Sequence, residues 1–232
     1  MKKILIKVVS IFFLSIAPLT FSATRVQIAQ RALFEAIRNG DLDAAKKALV
    51  SGADINGRLV GVPYGPGRTY EVNTPLIEAV EKGNLAMVKF LLEEKALVNE
   101  GNKYTETALI KAANKGYLEI VTLLLQHGAN PNAVMKHLGT TPLIMAASTG
   151  HALIASLLLE NGADMYRKEF RGRTALDIAK KKGNLAVAKV IEDFMAKKRE
   201  ERREETSEAI LKTRPEVYPA ITEEIAEFEI GK

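Results

Sequence analysis

The sequence predicts an all-α repeat solenoid, a stack of helix–turn–helix units joined by finger-like β-turn loops. Three observations predict it. A short pattern recurs as Thr74-Pro75-Leu76-Ile77-Glu78-Ala79, Thr107-Ala108-Leu109-Ile110-Lys111-Ala112, Thr141-Pro142-Leu143-Ile144-Met145-Ala146 and Thr174-Ala175-Leu176-Asp177-Ile178-Ala179, with the Thr residues 33, 34 and 33 positions apart. Nine residues beyond each Thr stands a Gly: Gly83, Gly116, Gly150 and Gly183. Each Gly leads into a second apolar stretch, such as 118–125, and two of these stretches end in Gly-Ala-Asn or Gly-Ala-Asp, at Gly128 and Gly162. A unit of this size cannot bury its apolar face alone, so units repeating at this period must stack.

In chain order, the opening reads as an address. Lys2, Lys3 and Lys7 precede the apolar run 8–17, then Pro18 and the small residues around Ser22 and Ala23. This is the layout of a secretory signal peptide cut near Ser22 or Ala23, and the run is shorter than the ~20 residues that span a bilayer. The formal charge of +5 falls to about +2 once those three lysines are removed. No later segment is apolar enough to cross a membrane.

A degenerate first copy follows, Arg31-Ala32-Leu33-Phe34-Glu35-Ala36, leading to Gly40 and then to Gly52-Ala53-Asp54-Ile55-Asn56. The gap from Arg31 to Thr74 is 43, which implies an insertion of about ten residues. In each later copy Thr is a helix N-cap, with Pro tolerated at the first helical position. Leu76 and Ala79 share one face of the short helix, and Gly83 ends it in left-handed geometry. Leu85, Val88, Leu91 and Leu92 line one side of the second helix. The expected boundaries are a signal peptide over 1–22 and an array over 23–195. Its repeats are near 26–58, 69–101, 102–135, 136–168 and 169–195, with the insertion at about 59–72. A charged helical extension and tail occupy 196–232. Pro215 and Pro219 break it before an apolar stripe of Ile221, Ile225 and Phe228.

The five copies in register resemble the ankyrin repeat. The His usual after Thr-Pro-Leu is replaced by Ile77, Ile110, Ile144 and Asp177, so apolar packing between repeats is expected there. Lys95 stands where a Gly is usual and Leu97 where an Asp is usual, so the turn after the second repeat is expected to be distorted. His151 holds a position that the family often fills with a helix-capping His.

The chain has no Cys, which excludes disulfides, thiol catalysis and Cys-ligated zinc. Its three His (His127, His137 and His151) fall at different places in the repeat plan, without a partnering carboxylate pair or nucleophile. The Gly-rich stretch 61–67 lacks the Lys-Ser/Thr of a phosphate loop. The reading is a non-enzymatic chain with no cofactor and no metal.

The resemblance implies a protein partner bound on the concave face of fingers and first helices. The variable positions before each Gly are Arg38-Asn39, Glu81-Lys82, Asn114-Lys115, Ser148-Thr149 and Lys181-Lys182, five of them basic and one acidic. With finger residues Arg171 and Arg173 they suit a partner with an acidic surface. Tyr64, Arg68 and Tyr70 of the insertion and Tyr104, Tyr166, His137 and Phe170 near finger tips are the candidate contact residues. The expected setting is the periplasm or beyond the cell of a bacterium. Nucleic acid or another polyanion on the basic fingers is the alternative, opposed by the modest charge and few aromatics. A secreted effector acting on host proteins is a further one. An acidic tail docking on the basic face is a regulatory hypothesis resting on charge alone.

Overall fold

The computed structural model describes residues 25–59 and 73–213. The segment expected to be a signal peptide, the insertion residues Tyr64, Arg68 and Tyr70, and the tail from 214 with Ile221, Ile225 and Phe228 lie outside them. The first repeat contributes α1 (25–39) and α2 (Leu42–Val50), the second α3 (Pro75–Glu81) and α4 (Leu85–Glu93). Then come α5 (Ala108–Lys115) and α6 (Leu118–Gln126), α7 (Pro142–Thr149) and α8 (Ala152–Glu160), and α9 (Ala175–Lys182) with the long α10 (Leu185–Thr213). First helices stack on first helices, α3 on α5 on α7 on α9, and second helices on second helices, α4 on α6 on α8 on α10.

The repeated Thr acts as the sequence requires. The hydroxyls of Thr74, Thr107, Thr141 and Thr174 accept from the backbone N–H three residues on. Asp177 completes a capping box at α9 by accepting from the Thr174 N–H. Ile77, Ile110 and Ile144 are buried, which is the apolar packing expected in place of the missing His. On α4, Val88, Leu91 and Leu92 are buried, but Leu85 at its first position stays exposed.

Each interface between repeats closes on a glycine. Gly116 has φ +79°, and a Cβ built on it would lie 2.5 Å from Cε1 of His151. The ring of the following repeat fills the space that a side chain would need. Asn84 covers Gly40, Tyr117 covers Gly83 and Asn184 covers Gly150 in the same register. This corrects the capping role expected of His151, whose side chain makes no cap hydrogen bond to α8.

A second correction concerns the turn at Lys95. Lys95 adopts φ +70° itself, and Ala96 N–H donates to Leu91 O at 2.9 Å. Ala53, Ala129 and Ala163 make the same bond to Ala48, Leu124 and Leu158, so the turn keeps the form of the others. A chain of asparagines holds it. Asn56 Oδ1 accepts from Leu97 N–H, Asn99 Oδ1 from Asn130 N–H and Asn132 Oδ1 from Asp164 N–H, at 2.7–2.8 Å. Leu97 supplies only its backbone, so this turn lacks the bond that Asp54, Asn130 and Asp164 each accept from the N–H two residues on, yet its backbone path is kept.

The first helix also departs from the register. It is helical throughout 25–39, so Arg31 sits inside α1 and not at its start. The finger positions explain the spacing of 34. Asn102–Glu106 and Glu169–Arg173 are closed by a backbone bond across four residues, but Met135–Thr140 spans five. The extra residue lies in that finger.

Candidate functional site

The side formed by first helices and finger bases carries a continuous polar chain across the first three repeats. Arg38 Nε donates to Glu78 Oε1 at 2.7 Å, and Asn73 Nδ2 donates to Glu78 Oε2 at 3.2 Å. Asn102 Nδ2 lies within reach of both Asn73 Oδ1 (3.3 Å) and Glu106 Oε2 (3.2 Å). Lys111 Nζ bridges Glu106 Oε2 at 3.0 Å and Glu81 Oε2 at 3.2 Å, and Lys115 Nζ donates to Glu81 Oε1 at 2.7 Å. The Lys111–Glu81 contact is a charge contact, since Glu81 Oε2 has no aligned donor. Glu78, Glu106, Lys111, Asn73 and Asn102 are all buried. Buried charges persist only when paired and hydrogen-bonded, and here carboxylates and cations alternate.

The alternation sets ionisation. Burial would pull Lys111 down, but the hydrogen bond and charge of Glu106, joined by Glu81, outweigh it and hold the ammonium above its ordinary value. Burial would raise Glu81, yet the hydrogen bond from Lys115 and the charge of Lys111 leave its carboxyl below the usual range.

The same chain shapes a finger. Asn102 Oδ1 accepts from the N–H groups of Tyr104 and Glu106, and Thr105 takes φ +60° where the next two fingers have Gly139 and Gly172. A β-branched residue there is strained. The Thr105 hydroxyl donates to Tyr104 O and accepts from Lys136 N–H at 2.7 Å, tying one finger to the next.

The finger tips are aromatic. The ring of Tyr104 meets that of His137 edge-on, centroids 5.8 Å apart, with Lys103 Nζ over the Tyr104 ring at 4.7 Å. Phe170 N–H donates to Leu138 O, and its ring lies against Gly139 while remaining 70% exposed. Tyr104, His137, Leu138 and Phe170 thus form an exposed strip over three consecutive fingers. Tyr166 stands in the turn after α8, in register with Asn56, Asn99 and Asn132.

The remaining residues singled out in the sequence divide into two groups. Arg38, Glu81 and Lys115 belong to the polar chain, Arg173 Nε donates to Glu169 at 2.9 Å, and Lys182 Nζ donates to Ser148 Oγ at 2.7 Å. Lys82, Arg171 and Lys181 are exposed and, with Lys136, Arg167 and Lys168, meet no carboxylate at ion-pair distance among the described residues. Of these six, all but Lys82 lie on the last two repeats or the finger leading into them.

Sequence reasoning missed Asn73, Asn102, Glu106 and Lys111. A signal was present. The fourth residue after the cap is apolar in Met145 and Ile178 but charged in Glu78 and Lys111, and charge at a buried register demands a partner. That partner is the seventh position of the preceding copy, Arg38 or Glu81. At the N-terminal end of the array lies a cavity of about 240 Å³ lined by α1 and the first turn, including Gln30, Asp54 and Arg58. The Gln30 amide there is already committed to the backbone of Asp54 and Gly57.

No match to a curated protein was found. Two models of one family do match the chain, one for ankyrin repeats in three copies over residues 33–135 and one for ankyrin repeats in many copies over 124–179. Their joint span, 33–179, covers more than half of the chain and coincides with the stacked helix pairs, so the chain belongs to the ankyrin repeat family.

Proposed function

We propose that this chain is an exported, non-enzymatic binding module that holds an acidic protein partner against the fingers and first helices of its last three repeats. Ankyrin repeats generally mediate protein–protein interaction. The observation that carries the finer reading is the exposed strip Tyr104–His137–Leu138–Phe170, flanked by Lys103, Lys136, Arg171 and Lys181. Large rigid aromatics supply contact area and a cationic rim steers an acidic surface toward it. The ion pairs on the first-helix side of the first three repeats neutralise one another, whereas Lys136, Arg171 and Lys181 further along meet no carboxylate among the described residues. Export rests on the leader at residues 1–22, and cleavage at Ser22 is tested by the intact mass of the secreted chain.

The binding test is affinity capture with residues 23–232 against two variants. One carries Tyr104→Ala with Phe170→Ala, the other Lys136→Glu, Arg171→Glu and Lys181→Glu. A partner held by the parent chain and lost from both variants supports the proposal. A partner held equally by all three places the site elsewhere. Loss of that partner to any competing DNA, with a steep salt dependence, marks polyanion binding in its stead.

A further inference from the structure

Helix α10 runs on past the array. Phe194 and Met195 are the last of its residues packed against the core, and 196–209 are predominantly exposed. The stretch Lys197-Lys198-Arg199-Glu200-Glu201-Arg202-Arg203-Glu204-Glu205 has no apolar face with which to join a core.

Its charges are nevertheless sorted. At 3.6 residues per turn, Glu200, Glu201, Glu204, Glu205 and Glu208 fall on one side of the helix, and Lys198, Arg199, Arg202 and Arg203 on the other. Between 197 and 208, Lys197 is the one cation that stands among the acids. At a spacing of four this arrangement works against the helix itself, although Lys197/Glu200, Lys198/Glu201, Glu200/Arg203 and Arg202/Glu205 are opposed at a spacing of three. The pairs Lys198/Arg202, Arg199/Arg203, Glu200/Glu204, Glu201/Glu205 and Glu204/Glu208 set like charges four residues apart, which is destabilising, whereas Lys197/Glu201 is opposed at that spacing. The ion pair seen along this stretch is Lys198–Glu201, at 2.7 Å and on the boundary between the two sides.

We infer that this charged arm pairs with the same arm of a second copy of the chain. A surface with one acidic and one basic side is matched by a partner carrying both, and the arm itself is such a partner. The hand of the pairing follows. A two-fold axis along the arms sets the acidic side of each against the basic side of the other at both edges of the contact, whereas antiparallel arms would set acid against acid. The arms therefore lie parallel, with both arrays at one end. The contact is electrostatic and lacks an apolar seam, so it is weak and sensitive to salt. It stands apart from the finger strip.

The test is sedimentation of the full chain at about 0.01 M salt, where screening acts over about 30 Å, and at about 1 M, where it acts over about 3 Å. The expected result is a mass rising with concentration toward twice that of one chain at low salt, with association at least about tenfold weaker at high salt. Two variants share the array. One has an all-acidic arm (Lys197→Glu, Lys198→Glu, Arg199→Glu, Arg202→Glu, Arg203→Glu), the other an all-basic arm (Glu200→Lys, Glu201→Lys, Glu204→Lys, Glu205→Lys, Glu208→Lys). Each stays single alone, and an equimolar mixture pairs one to one. A parent chain that remains single at low salt, association that survives high salt, or a single-sign variant that self-associates like the parent overturns the inference.

Discussion

Replacing Lys111 with Met removes the one cation that Glu106 touches, and one of two that Glu81 touches, among the described residues. The Lys111 and Glu106 side chains are 10% and 9% exposed. Removing one member of a sealed ion pair costs about 3–5 kcal/mol, because the other charge stays buried without compensation. The residual exposure here favours the lower end, about 3 kcal/mol. For a chain of this length that lowers the melting midpoint by about 6–12 °C. The double variant Lys111→Met with Glu106→Gln leaves no orphan charge, and the Gln carbonyl still accepts from Asn102, so the loss falls to about 1 kcal/mol. Urea unfolding followed by circular dichroism measures both, with the slope checked for loss of cooperativity along the array. A double variant no more stable than the single, or a single loss under about 1 kcal/mol, would refute the view that an uncompensated charge dominates.

Three further outcomes follow from the same geometry. Gly116→Ala should cost well over the ~1 kcal/mol of the left-handed backbone alone, because His151 fills the space, whereas Gly128→Ala, at φ +82° with nothing within 4 Å, should cost only that backbone term; equal losses by thermal melting would dismiss the packing role of His151. Lys95→Gly should stabilise the chain by about 0.5–1 kcal/mol by relieving φ +70° at an exposed site, and an unchanged urea midpoint would show that the turn carries no strain. Glu81 is held below its ordinary value of 4.5 and Lys111 above 10.5. The Glu81 contribution is therefore present above the ordinary carboxylate range and lost as pH falls through its lowered value, and the Lys111 contribution is lost as pH rises through its raised one. Glu81→Gln should flatten the acid flank of a stability–pH curve, and an unaltered flank would remove Glu81 from that account.

Much of the fold was legible because the signals for it are local. A Thr cap, a Pro at the first helical turn and a Gly at φ above zero act within a single unit. Repetition then multiplied a weak pattern into a firm one. Where the reading failed, it treated a deviation as local when its resolution lay in the next repeat. Lys95 was expected to distort its turn, but Asn56 of the preceding repeat holds the Leu97 N–H in place. His151 was expected to cap its own helix, but its ring is committed to Gly116 of the repeat before. The candidate site divides in the same way. The exposed aromatics and cations were readable as types, whereas the contact of Tyr104 with His137 depends on where two fingers end in space.

The sequence by itself determined the all-α repeat plan, the caps, the apolar residues between repeats and the charged extension beyond them. Each of these follows from hydrogen-bonding and burial rules that operate over a few residues. Only the tertiary structure decided which charges meet. Glu81 and Lys115 are 34 residues apart, as are Ser148 and Lys182, and they touch because successive units superpose at a small offset. That offset pairs Arg38 with Glu78 and Glu81 with Lys111 and leaves Arg171 and Lys181 without an ion-pair partner among the described residues. A count of charges along the chain registers none of this, because the Coulomb interaction depends on separation in space.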